Sequence, residues 1–297
     1  MSQAQSPSTS RTYGLARVLS AWHLSRSTFY YRKKRASAPN LSRRRGPKTK
    51  HSDEELVEQI REIISSSPFP GEGHRKIWAR LRMREYRTSK ERVLRLMRKH
   101  QLLAPQRQIE PAAVKPHEGT ILTERPNQMW AIDATATHTL AEGQVTVFAA
   151  IDHCSADCIG IHAAKPATRF EALEPLRQGV KQYCGGFHKA TAAGIRLRHD
   201  HGSQFMSDDF QKEIRFLGME SSPAFVREPE GNGCIERFFR TLKEQLLWVR
   251  TFRDVEELQS ALREFRDRYN REWLMERLGF QSPQQARARL LALERAA

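Results

Sequence analysis

Three acidic residues stand where a fold alone has no use for them. Asp133 falls between Ile132 and Ala134 in the alternating run 128–137, and aspartate is depleted in strands because its short carboxylate competes for backbone hydrogen bonds. Asp200 follows the segment 195–199 and precedes His201-Gly202-Ser203, the carboxyl end of a strand, where α/β sheets place ligands. Glu236 comes three residues after the end of the loop PEGNG at 229–233, in the first turns of a helix expected over 232–249. Hard divalent cations prefer oxygen donors, so three carboxylates from separate elements can converge on them. A pair of such ions roughly 3.5–4 Å apart clamps a phosphodiester by its attacking and leaving oxygens. Each residue alone also has an ordinary role, as a hydrogen-bonding aspartate or as a glutamate favoured by a helix N-terminus.

The elements that must gather them follow from the period of the apolar residues. Runs 128–137, 144–152 and 157–163 alternate as successive strands, with 141–143 as the turn between the first two. A helix (168–183), a strand (195–199), a helix (208–217), a short extended piece (219–222) and the helix carrying Glu236 complete a mixed α/β sheet. The tail 255–293 is amphipathic helix interrupted near 279–283. Asp152 ends the second strand but matches no motif, and it stays outside the metal set.

The chain of 297 residues holds 50 Lys and Arg against 34 Asp and Glu, a formal net charge of +16. The excess is concentrated in residues 1–117, with 26 basic and 9 acidic side chains, net +17; the remainder is net −1. Such a block predicts a polyanionic partner, because neutralised phosphates release condensed counterions. Nucleic acid leads, and an anionic membrane surface is the alternative. No run approaches the roughly 20 apolar residues that span a bilayer, and residues 1–10 lack the features of a signal peptide. The expectation is a soluble protein of a reducing cytoplasm, with Cys154, Cys158, Cys184 and Cys234 as buried thiols rather than a disulfide framework or a zinc site.

Within the cationic third, Leu15, Val18, Leu19 and Trp22 have helical spacing, and Ser25 is placed to cap a second, basic helix. Together they read as a helix-turn-helix that offers Arg26, Ser27, Tyr30, Arg32 and Lys33 to DNA; a solvated basic helical pair is the plainer alternative. Residues 36–52 form a Pro-, Ser- and Arg-rich linker in which Arg43, Arg44 and Arg45 suit phosphates. Beyond it, Leu56, Val57, Ile60, Ile63 and Ile64 mark one helix, and Ile77, Trp78 and Leu81 a second. Ser89 opens a third. This is a second helix-turn-helix candidate, whose Lys90, Arg92 and Arg95 stand open between phosphate contact and simple solvation.

The wording around the three carboxylates narrows the reading. NQMWAIDAT (127–135) resembles the first-aspartate strand of integrase-type transposases, HDHGSQF (199–205) their second-aspartate loop, and GNGCIERFFRTLK (231–243) their glutamate helix. Thirty-five residues lie between Asp200 and Glu236, the spacing that names the D,D,35,E class. The chain is similar to transposases of bacterial insertion sequences with a retroviral-integrase-like core, in particular the frame-B product of the two-reading-frame group. The likeness extends to YNR (269–271) and LGFQSP (278–283) in the tail. His199 and His201 depart from the pattern, which more often has a small polar residue before the second aspartate and a basic one after it.

This resemblance implies an RNase H-like fold, a mixed five-stranded sheet with helices, preceded by all-α helix-turn-helix units. It implies that Asp133, Asp200 and Glu236 are catalytic and hold two Mg²⁺ (or Mn²⁺) ions per site. The implied activity is recognition of terminal inverted repeats, then DNA strand cleavage and strand transfer in integration and recombination. Arg240 and Lys243, at i+4 and i+7 from Glu236, share its helix face and suit DNA, with solvation as the alternative. Asn232 in the preceding loop is a DNA or loop-closing contact. The implied partners are double-stranded DNA at transposon ends and target, and a second copy of the chain at least. Whether the chain acts alone or joined to the product of an upstream reading frame stays open; no membrane partner is expected, and the implied location is the bacterial cytoplasm, at the nucleoid. The expected organisation is a helix-turn-helix (11–35), a linker (36–52), a second helical domain (53–104), a linker (105–122), the catalytic core (123–250) and a helical tail (251–297). Two other classes compete: a DNA-binding regulator with a catalytically silent integrase-like domain, and an RNase H-like nuclease acting on RNA–DNA hybrids, which needs no pair of helix-turn-helix units.

Overall fold

The computed structural model describes residues 3–37, 50–105, 123–223 and 233–296. Arg43, Arg44, Arg45 and Asn232 lie outside the described residues. The chain divides into two compact units, Met1–Thr49 and Lys50–Ala297.

In the first unit, helix α1 (Leu15–Ala21) buries Leu19. The chain turns through His23, at φ 51°, and Ser25 caps α2 (Arg26–Ser37) by accepting the Thr28 N–H at 3.1 Å. α2 has no apolar stripe to bury. Arg26, Ser27, Tyr30, Arg32 and Lys33 all lie on its exposed surface.

The second unit opens with three helices, α3 (Asp53–Ser66), α4 (His74–Met83) and α5 (Lys90–Lys99). Ser52 and Ser89 cap α3 and α5, each accepting a backbone N–H at 3.1 Å. The spaced apolar residues close a core of Leu56, Ile60, Ile63, Ile77, Leu81, Val93, Leu96 and Met97. From the turn after α3, Phe69 leaves this core for that of the sheet.

The sheet is mixed, in the order β3-β2-β1-β4-β5. β1 (Met129–Thr139), β2 (Gly143–Asp152) and β3 (Cys158–Ala164) form the antiparallel meander that their period of two predicts. After α6 (Arg169–Tyr183) the chain adds β4 (Arg196–His199) parallel to β1; the short α7 (Ser203–Met206) and α8 (Asp208–Phe216) lead to β5 (Glu220–Pro223), parallel to β4. Alternate residues of β1 serve two cores. Trp130 and Ile132 pack with Leu173, Leu176, Phe210 and Ile214 of α6 and α8. Ala131 faces the other layer, with Ile235, Phe238 and Phe239 of α9 (Gly233–Leu242) and Phe265 and Tyr269 of α10 (Val255–Glu272). Close contact of α6 with the sheet is set by Gly160: a Cβ there would stand 2.0 Å from the Pro175 carbonyl oxygen.

The tail is part of this unit. Asn270 of α10 accepts the Cys158 N–H at 2.9 Å and donates to the Cys158 carbonyl at 3.0 Å, which satisfies the start of edge strand β3. α11 (Pro283–Ala296) carries the buried Arg287, which donates to Asn127 Oδ1 at 2.6 Å and lies over the Tyr183 ring. Asp152 accepts the N–H groups of Asn127, Cys154 and Ser155 and lies 3.7 Å from Arg287. Its carboxylate therefore holds a turn together.

Candidate active site

Asp133 shares the Ala131 side of β1, two residues further along, where the strand runs out of the apolar core towards solvent. On β2 it is paired with Ala149. The parallel ladder between β1 and β4 runs as far as Ala131 with Arg198, so Asp133 and Asp200 each stand two residues past the same rung. α9 packs on this side of the sheet and brings Glu236 in its first turn. Asp133, Ala134, Thr135, Glu236, Phe239, Arg240, Lys243 and Trp248 line one cavity of about 430 Å³.

The electrostatics join all three carboxyls. Burial pushes Asp133 up to about 6; Asp200 and Glu236 add to the rise, against the Ala134 N–H and Lys243, which favour the anion. Such a set of hard oxygens, repelling one another around a half-buried acid, fits a divalent cation by donor chemistry. Among the described residues, however, no group of three or more His, Cys, Asp or Glu is drawn together tightly enough to hold a metal as it stands. Asp133 Oδ1 accepts the Ala134 N–H at 2.7 Å, and Asp200 Oδ1 accepts the Gly202 N–H at 2.8 Å, so both are turned towards their own backbone. Gly202 permits that turn, since a Cβ there would lie 2.9 Å from Asp200 Oδ1.

His199 is fully buried between strands, with Nδ1 2.7 Å from the Asp200 carbonyl and Nε2 2.9 Å from Ser221 Oγ. Burial lowers its proton affinity, so the neutral ring donates to the Asp200 carbonyl and accepts from Ser221. It orients the second-aspartate loop from inside the sheet and does not reach out to a phosphate; His201 is exposed.

The cationic residues divide by how firmly they are engaged. Lys243 shares the cavity with Asp133, and Arg240 does so while bonded to Glu244 at 3.0 Å. Lys90 lies 3.4 Å from Glu276 and over the Trp78 ring. Arg92 donates to Asp53 and to the His51 carbonyl, both within 2.9 Å, and Arg95 reaches the other Asp53 oxygen at 2.8 Å. Two guanidiniums, first Arg95 and then Arg92, hold Asp53 down at about 2. The four cysteines are free thiols, and burial raises each of them away from the thiolate.

Sequence reasoning missed Trp248. One continuous helix is expected over 232–249, whereas α9 ends at Leu242 and a single π turn, Lys243–Leu247, follows. The available signal was the run Leu246-Leu247-Trp248-Val249, four apolar residues in succession that one α-helical stripe cannot bury.

Residues 51–109 match the HTH-like domain family, and residues 123–229 and 217–283 match two descriptions of the integrase core domain. Over 246 residues the chain is 24% identical to transposase InsD for insertion element IS2A/D/F/H/I/K of Escherichia coli, covering 81% of each. Identity and coverage are the same for transposase InsD for insertion element IS2D of Escherichia coli strain K12. Among solved structures it is similar to a chain of the simian T-cell lymphotropic virus intasome in complex with PP2A regulatory subunit B56 gamma, at 15% identity and TM-score 0.47, covering 77% of this chain and 74% of that one. It is also similar to the catalytic core domain of BIV integrase, at 17% identity and TM-score 0.42, covering 57% and 98%. The HTLV-2 integrase catalytic core domain in complex with magnesium matches at 17% identity and TM-score 0.41, covering 55% and 97%.

Proposed function

We propose that this chain, an RNase H-like integrase-core homologue of the insertion-element transposases with an HTH-like unit ahead of the core, binds the terminal inverted repeats of a mobile element and cuts and rejoins DNA there. The observation that carries the reading is the cavity in which Asp133 and Glu236 stand beside Arg240 and Lys243, with Asp200, just past the end of β4, level with Asp133 within β1.

Asp133, Asp200 and Glu236 are the residues that would hold two divalent ions, Mg²⁺ or Mn²⁺, which when bound supply activation of a water or a 3′-hydroxyl and stabilisation of the leaving oxygen. The chain's own part is positioning and charge. Arg240 and Lys243 meet the non-bridging phosphate oxygens, and the rigid β1 backbone fixes Asp133 against them. Hydrolysis at the element end frees a 3′-hydroxyl; attack of that hydroxyl on a target phosphodiester forms the new bond as the target's own 3′-oxygen leaves. No covalent bond to the protein is needed.

Exposed Arg26, Ser27, Tyr30, Arg32 and Lys33 on α2 suit the terminal repeat, and Lys90, Arg92 and Arg95 the flank of the second helical unit; Arg43, Arg44, Arg45 and Asn232 complete the proposed contacts. The working divisions are those of 11–35, 53–104, 123–250 and the tail 251–297. Joining two ends calls for at least two copies of the chain. Among the described residues no helix is long and apolar enough to cross a membrane, and the place of action we propose is the bacterial cytoplasm, at the nucleoid. The test is incubation of the purified protein with a duplex bearing the terminal repeat, with Mg²⁺ or Mn²⁺. Cleavage or joining that vanishes in Asp133→Asn is the expected result; binding without cleavage under either metal overturns the reading in favour of a DNA-binding regulator.

A further inference from the structure

We propose that Trp248 is a base-stacking residue of this site, receiving an unpaired nucleobase next to the phosphodiester held between Asp133 and Glu236. The inference rests on the transposase reading for its substrate and on the π turn for its geometry. Along an α-helix, i, i+4, i+7 and i+11 share a face. From Glu236 these are Arg240, Lys243 and Leu247. A π turn takes in one extra residue: the Trp248 N–H donates to the Lys243 carbonyl at 2.9 Å, a step of five. The face is thereby advanced by one. Leu246 and Leu247 are buried, and Trp248, not Leu247, joins Glu236, Arg240 and Lys243 around the cavity. Its side chain remains 69% exposed.

An indole displayed in this way beside two cations and two carboxylates fits one kind of occupant. Arg240 and Lys243 suit a phosphate backbone, while Ala134, Phe239 and the Trp248 indole give the same cavity an apolar side, so an occupant has to carry both a phosphate and a flat apolar face. A nucleobase offers a flat π face attached to phosphates, and stacking of single bases on aromatic side chains is insensitive to sequence. In a duplex the bases beside a scissile bond are paired and stacked on each other, so a base can meet the Trp248 ring face to face only after local unpairing, which costs a few kcal/mol. An aromatic side chain that takes the freed base offsets that cost. The role assigned to Trp248 is positioning; it exchanges no proton with the reacting atoms.

The test uses the full chain and a duplex bearing the terminal repeat, with 2-aminopurine placed in turn at each base flanking the cleavage position. With the parent protein one position is expected to lose emission on binding. In Trp248→Ala that loss disappears while affinity, read by anisotropy, stays within about 2-fold, because the phosphate contacts are kept. Joining of fully paired ends slows by about 10-fold or more, the scale of one base stack. On ends whose flanking pairs are mismatched, the variant returns to within about 3-fold of the parent, a rescue that a merely structural role would not give. Trp248→Phe falls between the two. Unchanged quenching in Trp248→Ala, or equal slowing on paired and mismatched ends, overturns the proposal. So does a change in emission with protein concentration alone that is present in the parent and absent in Trp248→Ala, which would make Trp248 a contact between chains. A parent protein that binds but cuts no end removes the transposase reading and leaves the 2-aminopurine result to decide Trp248 by itself.

Discussion

Asp133 and Glu236 line one cavity, the first from the middle of the sheet and the second from the start of α9, and the second carboxylate adds to the burial that already raises the first. The Asp133 carboxyl titrates near 6 in the fold against 3.8 in an open chain. The folded chain therefore holds this proton more tightly. Below about pH 4 both states are protonated and the group contributes nothing; as pH rises through 6, ionisation destabilises the fold by up to about 3 kcal/mol. In the absence of divalent ions, Asp133→Asn should then melt several degrees above the parent at pH 7.5 and level with it at pH 4. Adding Mg²⁺ at pH 7.5 should raise the parent's Tm and leave the variant's where it was. A variant less stable than the parent at pH 7.5 would count against this picture of the site.

Asp53 titrates in the opposite sense. Arg95 and Arg92 hold it at about 2, so its contribution is present above pH 4 and is lost as pH falls towards 2. Both partners are partly exposed, which limits the pair to about 1 kcal/mol. Asp53→Asn and Arg92→Ala should each destabilise the helical unit by roughly that amount at pH 7, with a coupling in the double-mutant cycle of about 0.5–1 kcal/mol, measured by urea unfolding. Arg95, with more of its side chain in solvent, is the better candidate for a phosphate. Its replacement by Ala should lower the slope of log K against log salt by about 1.

The elements of the core were legible because its apolar periods are clean: the meander from residue 129, the β4 strand and the helices on either side all fall within a few residues of their expected bounds. The three carboxylates were legible as anomalies of type against place. What the sequence hid had two causes. Asp152, read as an acid with no motif, proves to be a buried acceptor of three backbone N–H groups, and its partner Arg287 comes from 135 residues away. The bond from Arg92 to Asp53 was not legible because the two residues belong to different helices. Long-range polar pairing leaves no period to read. The π turn was hidden for another reason, since it trades one backbone bond pattern for a neighbouring one with little change in composition.

The YNR motif has a structural use that can be checked directly. Asn270 meets both the N–H and the carbonyl of Cys158, a pairing for which the side-chain amide offers its acceptor and its donor on separate atoms. Asn270→Ala leaves both backbone groups without that partner at a half-covered sheet edge, at an expected cost of about 2 kcal/mol in chemical denaturation. Asn270→Asp keeps an acceptor and loses the donor, and should be worse than Ala near neutral pH because a carboxylate then faces a carbonyl. A variant with Ala that unfolds together with the parent would show that the edge strand is held by α10 packing alone.

The turn 68–73, from which Phe69 enters the core of the sheet, is tied to α4 by a buried ion pair. The Glu72 side chain is 2% exposed, and Arg80 meets it through Nε at 2.6 Å and Nη2 at 3.0 Å. The same guanidinium lies 3.5 Å from the Glu272 carbonyl at the end of α10, while Phe69 in the preceding turn packs edge-on against Trp273. Arg80→Ala leaves a buried carboxylate without its strongest partner, a change that costs about 3–5 kcal/mol where the group cannot reach water. Glu72→Gln in the same chain removes the stranded charge and should recover a large part of that loss, since the remaining amide can still bond to Ser67, which donates to the Glu72 carboxylate at 3.0 Å in the parent. Hydrogen exchange should then speed up around 68–73 and at the end of α10 in Arg80→Ala, but much less in the double variant. Equal exchange in both would mean that the direct contacts with the core, Phe69 on Trp273 and Arg75 and Lys90 on Glu276, hold this turn without help from the ion pair.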